Sequence, residues 1–275
     1  MRRWGLWRSL VLVACLAAGD AAHAARAASA GVRTASVDGR RTALRVMGEG
    51  RPVVVLIAGL GDGMDSFAGA AAALGTSARV IVYDRAGYGG SDAGPGPRDA
   101  ASAERELSGL LAASGVAGPY VLVGHSLGGL FAEYYAARHP DQVAGLILEE
   151  SRPADFAALC EATPGTGMCM PPAAMLAFSP RGAKQELAGL RATEAEVRAV
   201  APLTGRPVLV LSRPTAAKGA APFETVWARA QDGLAARYPG STHLTAPGGG
   251  HYLHKDQSQW FVGAVRAFLE RVPAG

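Results

Sequence analysis

The sequence predicts an α/β protein, with a mostly parallel, twisted sheet of about eight strands, helices on both faces and a small helical insertion. Three observations carry that expectation. Short continuous apolar runs such as 53-VVVLIAG-59, 80-VIVYD-84 and 120-YVLVG-124 read as strands covered on both faces. Amphipathic stretches separate these runs, and buried strands alternating with helices imply parallel pairing through right-handed crossovers. Finally, 124-GHSLG-128 sets a serine between two glycines where a strand gives way to a helix.

Composition bounds the rest. A chain of 275 residues, 49% hydrophobic and 18% charged, suits one large domain and excludes a disordered or fibrous protein. The formal charge of +4 gives no basis for a nucleic-acid partner. Residues 1–24 run from Arg2, Arg3 and Arg8 through the apolar stretch Ser9 to Gly19 to the small residues Ala22-His23-Ala24. That is the layout of a secretory signal cleaved after Ala24. Leu12-Val13-Ala14-Cys15 also resembles a lipobox, which makes lipid anchoring through Cys15 the alternative. No other segment is apolar for long enough to span a bilayer, so the mature protein is expected to be secreted or periplasmic. Cys160 and Cys169 then remain as an even pair around Pro164, Gly165 and Gly167, and a disulfide is expected between them.

Taken in order, residues 25–33 read as a flexible leader. Thr34 to Val37, the turn Asp38-Gly39 and Thr42 to Met47 read as a hairpin. After the run at 53–59, a helix is expected from Asp65 to Leu74, then the strand at 80–84 and a Gly/Pro-rich turn, 85-RAGYGGSDAGPGP-97. A helix from Arg98 to Ser114 leads to the strand at 120–124, and a helix after Ser126 leads to 144-AGLILE-149. The alternation stops there. Residues 152–205 hold prolines, both cysteines and two short helical pieces, 184–190 and 193–203, and read as an insertion at the sheet's edge. The sheet resumes at 207-PVLVLS-212, followed by a helix from Phe223 to Tyr238, the strand 242-THLTA-246 and a closing helix from Asp256 to Arg271. The core is thus expected in 34–151 and 206–275.

The Gly-x-Ser-x-Gly turn lifts the Ser126 hydroxyl above the carboxyl end of the sheet and sets helix N–H groups beside it. A serine hydroxyl needs a base to act as a nucleophile. His251 follows Gly248-Gly249-Gly250 directly after the last strand and can reach over the carboxyl ends, whereas His125, His139 and His243 are placed elsewhere. His254 is the alternative base. The orienting carboxylate is expected at Glu149, since 212-SRPTAAKG-219 offers none, with Glu150, Glu224 and Asp232 as alternatives. Oxyanion donors are expected from the amides of Leu127 and, in 58-AGLGDG-63, of Leu60.

From about Val37 onward the chain resembles the α/β-hydrolase fold superfamily of esterases, lipases and related hydrolases. The resemblance rests on 83-YDRAGYGGSD-92, 122-LVGHSLGGL-130 and 250-GHYLHKDQ-257, in that order. It implies Ser126 as nucleophile, His251 as base, residues 152–205 as a cap, a structural role for Asp84 and Arg85, and no cofactor. The run 148-LEESRP-153 is similar to haloalkane dehalogenases that take a glutamate after this strand, which favours Glu149. Those enzymes and the epoxide hydrolases use an aspartate nucleophile, and the serine at 126 argues against both chemistries. The oxyanion loop departs from the superfamily's common His-Gly start in having Ala58-Gly59, and the usual aspartate after the seventh strand is missing.

The resulting expectation is an exported serine hydrolase that cleaves carboxylic esters through an acyl-serine. Its partner is a small-molecule ester with an apolar acyl or alkyl group. Phe156, Leu159, Met168, Met170, Met175, Leu176 and Phe178 either line that group's pocket or pack the cap onto the core. An amide or peptide hydrolase, a cofactor-free acyltransferase or perhydrolase, and a non-enzymatic binding protein are the alternatives.

Overall fold

The computed structural model describes residues 31–214 and 221–272. The expected signal at 1–24, Cys15 and most of the leader lie outside the described residues. The chain opens with the hairpin of β1 (Arg33–Val37) and β2 (Arg40–Met47), whose turn puts Asp38 and Gly39 at φ +49° and +74°. A type I′ hairpin turn needs such a positive φ at both of its central residues. β3 (Val53–Ile57) leads through a 3₁₀ turn, Met64–Phe67, into α1 (Ala68–Leu74) and then β4 (Arg79–Tyr83). α2 (Ala100–Ser114) starts at a capping box in which Asp99 and Ser102 satisfy each other's amides. β5 (Tyr120–His125), α3 (Leu127–Arg138) and β6 (Val143–Glu149) follow, then α4 (Phe156–Glu161) and α5 (Arg181–Ala199). The chain closes with β7 (Val208–Ser212), α6 (Pro222–Ala236), β8 (Thr242–Thr245), α7 (Leu253–Asp256) and α8 (Ser258–Leu269).

The eight strands form one sheet in the order β1-β2-β4-β3-β5-β6-β7-β8. β2 pairs antiparallel with β1 and β4, and every pairing from β4 through β8 is parallel. The continuous apolar runs divide by side-chain parity between two cores. Val53, Val55, Ile57, Leu122, Leu146 and Leu148 face α2 and α3, whereas Val54, Leu56, Val121, Val123 and Ile147 face α1 and α8. On α8, Phe261, Val262, Val265, Phe268 and Leu269 are buried, each worth about 1.5–3 kcal/mol relative to exposure. Among the described residues, no helix is long and apolar enough to cross a membrane.

Two local expectations are corrected. The two helical pieces at 184–190 and 193–203 are one helix, α5, whose Gly189, Leu190, Thr193 and Val197 share the buried side. The segment between β6 and β7 does not leave from the sheet's edge, because β6 and β7 pair directly and β8 lies beyond them. It leaves instead from the carboxyl end of the interior strand β6 and returns to the amino end of its parallel neighbour β7. The closing helix is present as α8, preceded by the short α7 and a break at Gln257, which lies at φ −130°, ψ +45°. The expected disulfide is present, joining Cys160 and Cys169 at an S–S distance of 2.01 Å.

Candidate active site

β5 ends where close packing demands glycine. A Cβ on Gly124 would fall 2.5 Å from the Gly129 Cα, and one on Gly128 would fall 2.2 Å from the Ile57 carbonyl oxygen. Between them Ser126 is held at φ +52°, ψ −119°. Such a conformation costs a non-glycine residue about 1–3 kcal/mol and persists only where its surroundings enforce it. Here its N–H donates to the Glu149 carbonyl (3.1 Å) and its carbonyl accepts from Gly129 and Arg152 (3.0 and 3.1 Å).

His251 lies in the loop after β8. Its Nδ1 is 3.2 Å from Glu150 Oε2, and the carboxylate, which can only accept when ionised, assigns the ring proton to Nδ1 and leaves Nε2 as the lone-pair nitrogen. Glu150 is fully buried and is itself at φ +43°. It also accepts from the Arg213 backbone N–H and Nη1, both at 2.7 Å, and from Trp227 Nε1 at 2.9 Å. Both members of the pair are therefore fixed. His125, next to the serine, points into the protein, as expected: its ring is buried and its Nε2 donates to the His251 carbonyl at 2.8 Å. Burial pushes His125 down to about 3, so it stays neutral and ties the His251 loop to the turn.

The structure pairs His251 with Glu150, one of the alternatives, and not with the expected Glu149. Glu149 does not meet His251; its carboxylate oxygens lie 2.8 and 2.9 Å from Nδ1 of His254, and Oε1 also accepts the His254 backbone N–H at 2.7 Å. The reason is strand parity. Glu149 is the last residue of β6 and shares the side of Ile147, which faces α1 and α8. Glu150 lies past the strand end, where the positive φ turns its side chain over the carboxyl edge. Glu224 and Asp232 are engaged elsewhere, Glu224 with Arg213 at 2.7 Å and Asp232 with His243 at 3.6 Å.

His254 is fully buried, stacked on Phe67 with ring centroids 4.2 Å apart, and its Nε2 is 3.2 Å from Ser66 Oγ. Ser66, His254 and Glu149 thus form a second hydrogen-bonded chain. Burial favours the neutral form at both ionisable members, lifting Glu149 to about 7 and lowering His254 to about 3. A neutral carboxyl and imidazole sharing one proton satisfy both. Sequence reasoning does not reach this chain, although a buried glutamate next to another at a strand end signals the need for such a partner.

The loop 58–63 after β3 runs beside the serine: a Cβ on Gly59 would lie 3.3 Å from Ser126 Cβ and 2.9 Å from His125 Nδ1. Gly61 N–H donates to Tyr88 Oη at 3.2 Å, and the Ala58 and Gly59 carbonyls accept from Arg85 at 2.6 and 2.9 Å. Leu127 is the first residue of α3, where the amides of the opening turn have no intrahelical acceptor. Asp84 anchors the neighbouring turns by accepting from Met64 and Gly90 N–H at 2.8 and 2.9 Å.

In the segment between β6 and β7, Phe156 packs against Trp227 and Phe223 with ring centroids 4.8 and 5.4 Å apart. Met168, Met175 and Phe178 face solvent, so these three neither line a pocket nor pack the segment onto the core.

A family model described as "alpha/beta hydrolase fold" matches residues 52–186. Over 101 residues the chain is 41% identical to a protein of Klebsiella pneumoniae (strain 342) designated a putative carbamate hydrolase, RutD, a match covering 36% of this chain and 37% of that protein. A match to an uncharacterised protein of Schizosaccharomyces pombe (strain 972 / ATCC 24843) is 38% identical over 78 residues, covering 28% of this chain and 15% of that protein. The matched part therefore spans well under half the length of these curated relatives. Among solved structures, the enol-lactonase from Burkholderia xenovorans LB400 superposes with a TM-score of 0.64 at 23% identity, covering 86% of this chain and 100% of that one. A thermophilic esterase from Thermogutta terrifontis superposes with a TM-score of 0.66 at 22% identity, covering 88% of this chain and 99% of that one. Sheet order, the turn at Ser126 and these likenesses agree, and the chain has the α/β-hydrolase fold.

Proposed function

We propose that this chain is a serine hydrolase that cleaves carboxylic esters through an acyl-serine. Ser126 attacks the carbonyl, and His251 Nε2 takes the hydroxyl proton and returns it to the leaving alkoxide. Glu150 holds the His251 tautomer and stabilises the imidazolium formed during attack, while the Leu127 and Leu60 amides receive the oxyanion. Water then attacks the acyl-serine carbonyl with His251 again as base, releasing the acid and restoring the hydroxyl.

One observation supports this reading above others. A serine forced to positive φ and a histidine backed by a four-donor buried carboxylate stand at the same end of the sheet. Ser126 and His251 are not hydrogen-bonded to each other, and contacts of this kind commonly tighten only around substrate. The segment between β6 and β7 serves as the cap. The N-terminal pattern and the cysteine pair support action outside the cytoplasm. The likeness to the carbamate hydrolase adds carbamates, whose carbonyl the same groups can attack, to the substrates worth assaying.

The test is intact-mass spectrometry after fluorophosphonate treatment of the wild type and of Ser126→Ala, with p-nitrophenyl esters and a carbamate assayed in parallel. A single adduct on the wild type, none on the variant, and ester turnover are expected. Folded wild type with neither adduct nor turnover would defeat the proposal and favour a binding role.

A further inference from the structure

Arg85 and Glu186 form the most deeply buried arginine–carboxylate pair among the described residues, with side chains 2% and 0% exposed. Arg85 belongs to the turn after β4, whereas Glu186 comes from α5, 101 residues later in the chain. The guanidinium meets the carboxylate side-on, Nε to Oε1 at 2.6 Å and Nη2 to Oε2 at 3.0 Å. Its remaining donors go to the loop beside Ser126, Nη1 to the Ala58 carbonyl and Nη2 to the Gly59 carbonyl. Tyr88 closes the circuit by donating to Glu186 Oε2 at 2.5 Å while accepting from Gly61 N–H. Burial and the Glu186 charge raise the Tyr88 phenol above its ordinary range, which keeps it a donor at any working pH.

Every backbone bond in that circuit falls on a residue flanking Leu60. Ala58 and Gly59 are fixed by their carbonyls and Gly61 by its amide, so the peptide presenting the Leu60 N–H is restrained from both sides. A lone buried charge is costly, and Arg85 remains pointed at these carbonyls because Glu186 neutralises it. The helix supplying Glu186 is pressed onto the same turn. Gly182 N–H donates to the Gly87 carbonyl at 3.1 Å, and a Cβ on Gly87 would fall 2.5 Å from the Gly182 nitrogen.

We infer that Glu186 is a positioning residue for the oxyanion donor at Leu60, acting through Arg85 and Tyr88, so that the segment between β6 and β7 completes the active site as well as covering it. The inference rests on the proposed role of the Leu60 amide, and it makes docking of α5 a condition for oxyanion stabilisation. A preorganised donor matters most in the transition state, so loosening it lowers kcat and leaves ground-state binding nearly intact.

Tyr88→Phe and Glu186→Gln are the test variants, Tyr88→Phe being the milder because it leaves the ion pair in place. Each is compared with wild type for p-nitrophenyl ester kinetics, affinity for an arylboronic acid that forms a tetrahedral adduct at serine, and amide hydrogen exchange in residues 57–64. The expected result is kcat lowered by about tenfold or more with KM within about twofold, and boronate affinity weakened by the same factor as kcat. Exchange in 57–64 should quicken while the sheet remains protected. Unchanged exchange in 57–64, or kcat lost without a matching loss of boronate affinity, overturns the inference. If wild type shows no turnover while the variants still quicken exchange at 57–64, the ester-hydrolase reading fails and the structural coupling stands. Should Glu186→Gln fail to fold, Tyr88→Phe alone decides, through the same two readouts.

Discussion

Glu149 and Glu150 are adjacent, both fully buried, and committed to different histidines. The division makes opposite predictions for the same substitution. Glu150→Gln removes the charge that stabilises the His251 imidazolium, and kcat should fall on the order of a thousandfold or more. Glu149→Gln should keep turnover within about tenfold of wild type, because its side chain reaches the Ser66–His254 chain instead. The reverse ranking in ester kinetics would return the orienting role to Glu149. Stability carries a second signature. Burial raises Glu149 from 4.5 to about 7, so in the folded state it holds a proton that the unfolded chain gives up. Its contribution is complete below pH 4.5 and lost as pH rises through 7. Glu149→Gln should therefore gain stability relative to wild type between about pH 4.5 and 7.5. His125 and His254, lowered by burial, lose stability as pH falls from 6.5 toward 3, and because both proteins carry them, the difference between the two denaturation curves isolates Glu149. A difference that stays flat across that range would mean the carboxyl is ionised throughout.

At the scale of elements, the turn between β5 and α3 depends on backbone contacts that no side-chain adjustment can relieve. Gly128→Ala would drive a methyl group into the Ile57 and Ala58 carbonyls, 2.2 and 2.5 Å away, and should cost at least about 2–3 kcal/mol in urea denaturation. Gly233, on the exposed side of α6, has nothing within 4 Å of where a Cβ would stand, and Gly233→Ala should stabilise the protein by about 0.5–1 kcal/mol. Equal effects at the two positions would show that crowding at the turn is not what demands glycine there. The elements themselves are legible in the sequence because their patterns are strong. β3, β5 and β6 are unbroken apolar runs that bury both faces, and the serine turn sits between one of them and a helix. The carboxylate that meets His251 falls one residue beyond the expected Glu149 because the alternation of β6 continues to the strand's last residue: counting on from Ile147 puts Glu149 on the face covered by α1 and α8. The single helix Arg181–Ala199 reads as two pieces because Arg191, Ala192 and Thr193 carry no strong apolar signal of their own, whereas Gly189 is buried by backbone contact with Arg98. Pairing across 101 residues, as between Arg85 and Glu186, leaves no local pattern to read.

At the scale of the whole molecule, the segment between β6 and β7 meets the core at several places, two of which bear on the site. One is the Arg85–Glu186 pair; the other is an apolar cluster of Phe156, Cys160, Cys169, Val226, Trp227 and Ala230, with the disulfide inside it. Trp227 belongs to α6 and donates its indole N–H to Glu150, so the cluster backs the carboxylate that holds His251. The cross-link spans a sequence separation of 9 and restricts the unfolded chain by about 2–3 kcal/mol. For a protein of this size that corresponds to a melting midpoint lower by about 5–10 °C in Cys160→Ala/Cys169→Ala, measured by calorimetry. Fluorophosphonate labelling of Ser126 at about 25 °C should stay within about threefold of wild type, because Glu150 retains its two bonds from Arg213. An unchanged midpoint would mean that packing against Trp227 holds the loop without the cross-link. A loss of labelling by about tenfold or more would instead show that the cross-link is transmitted through Trp227 to Glu150 and is part of what fixes the histidine.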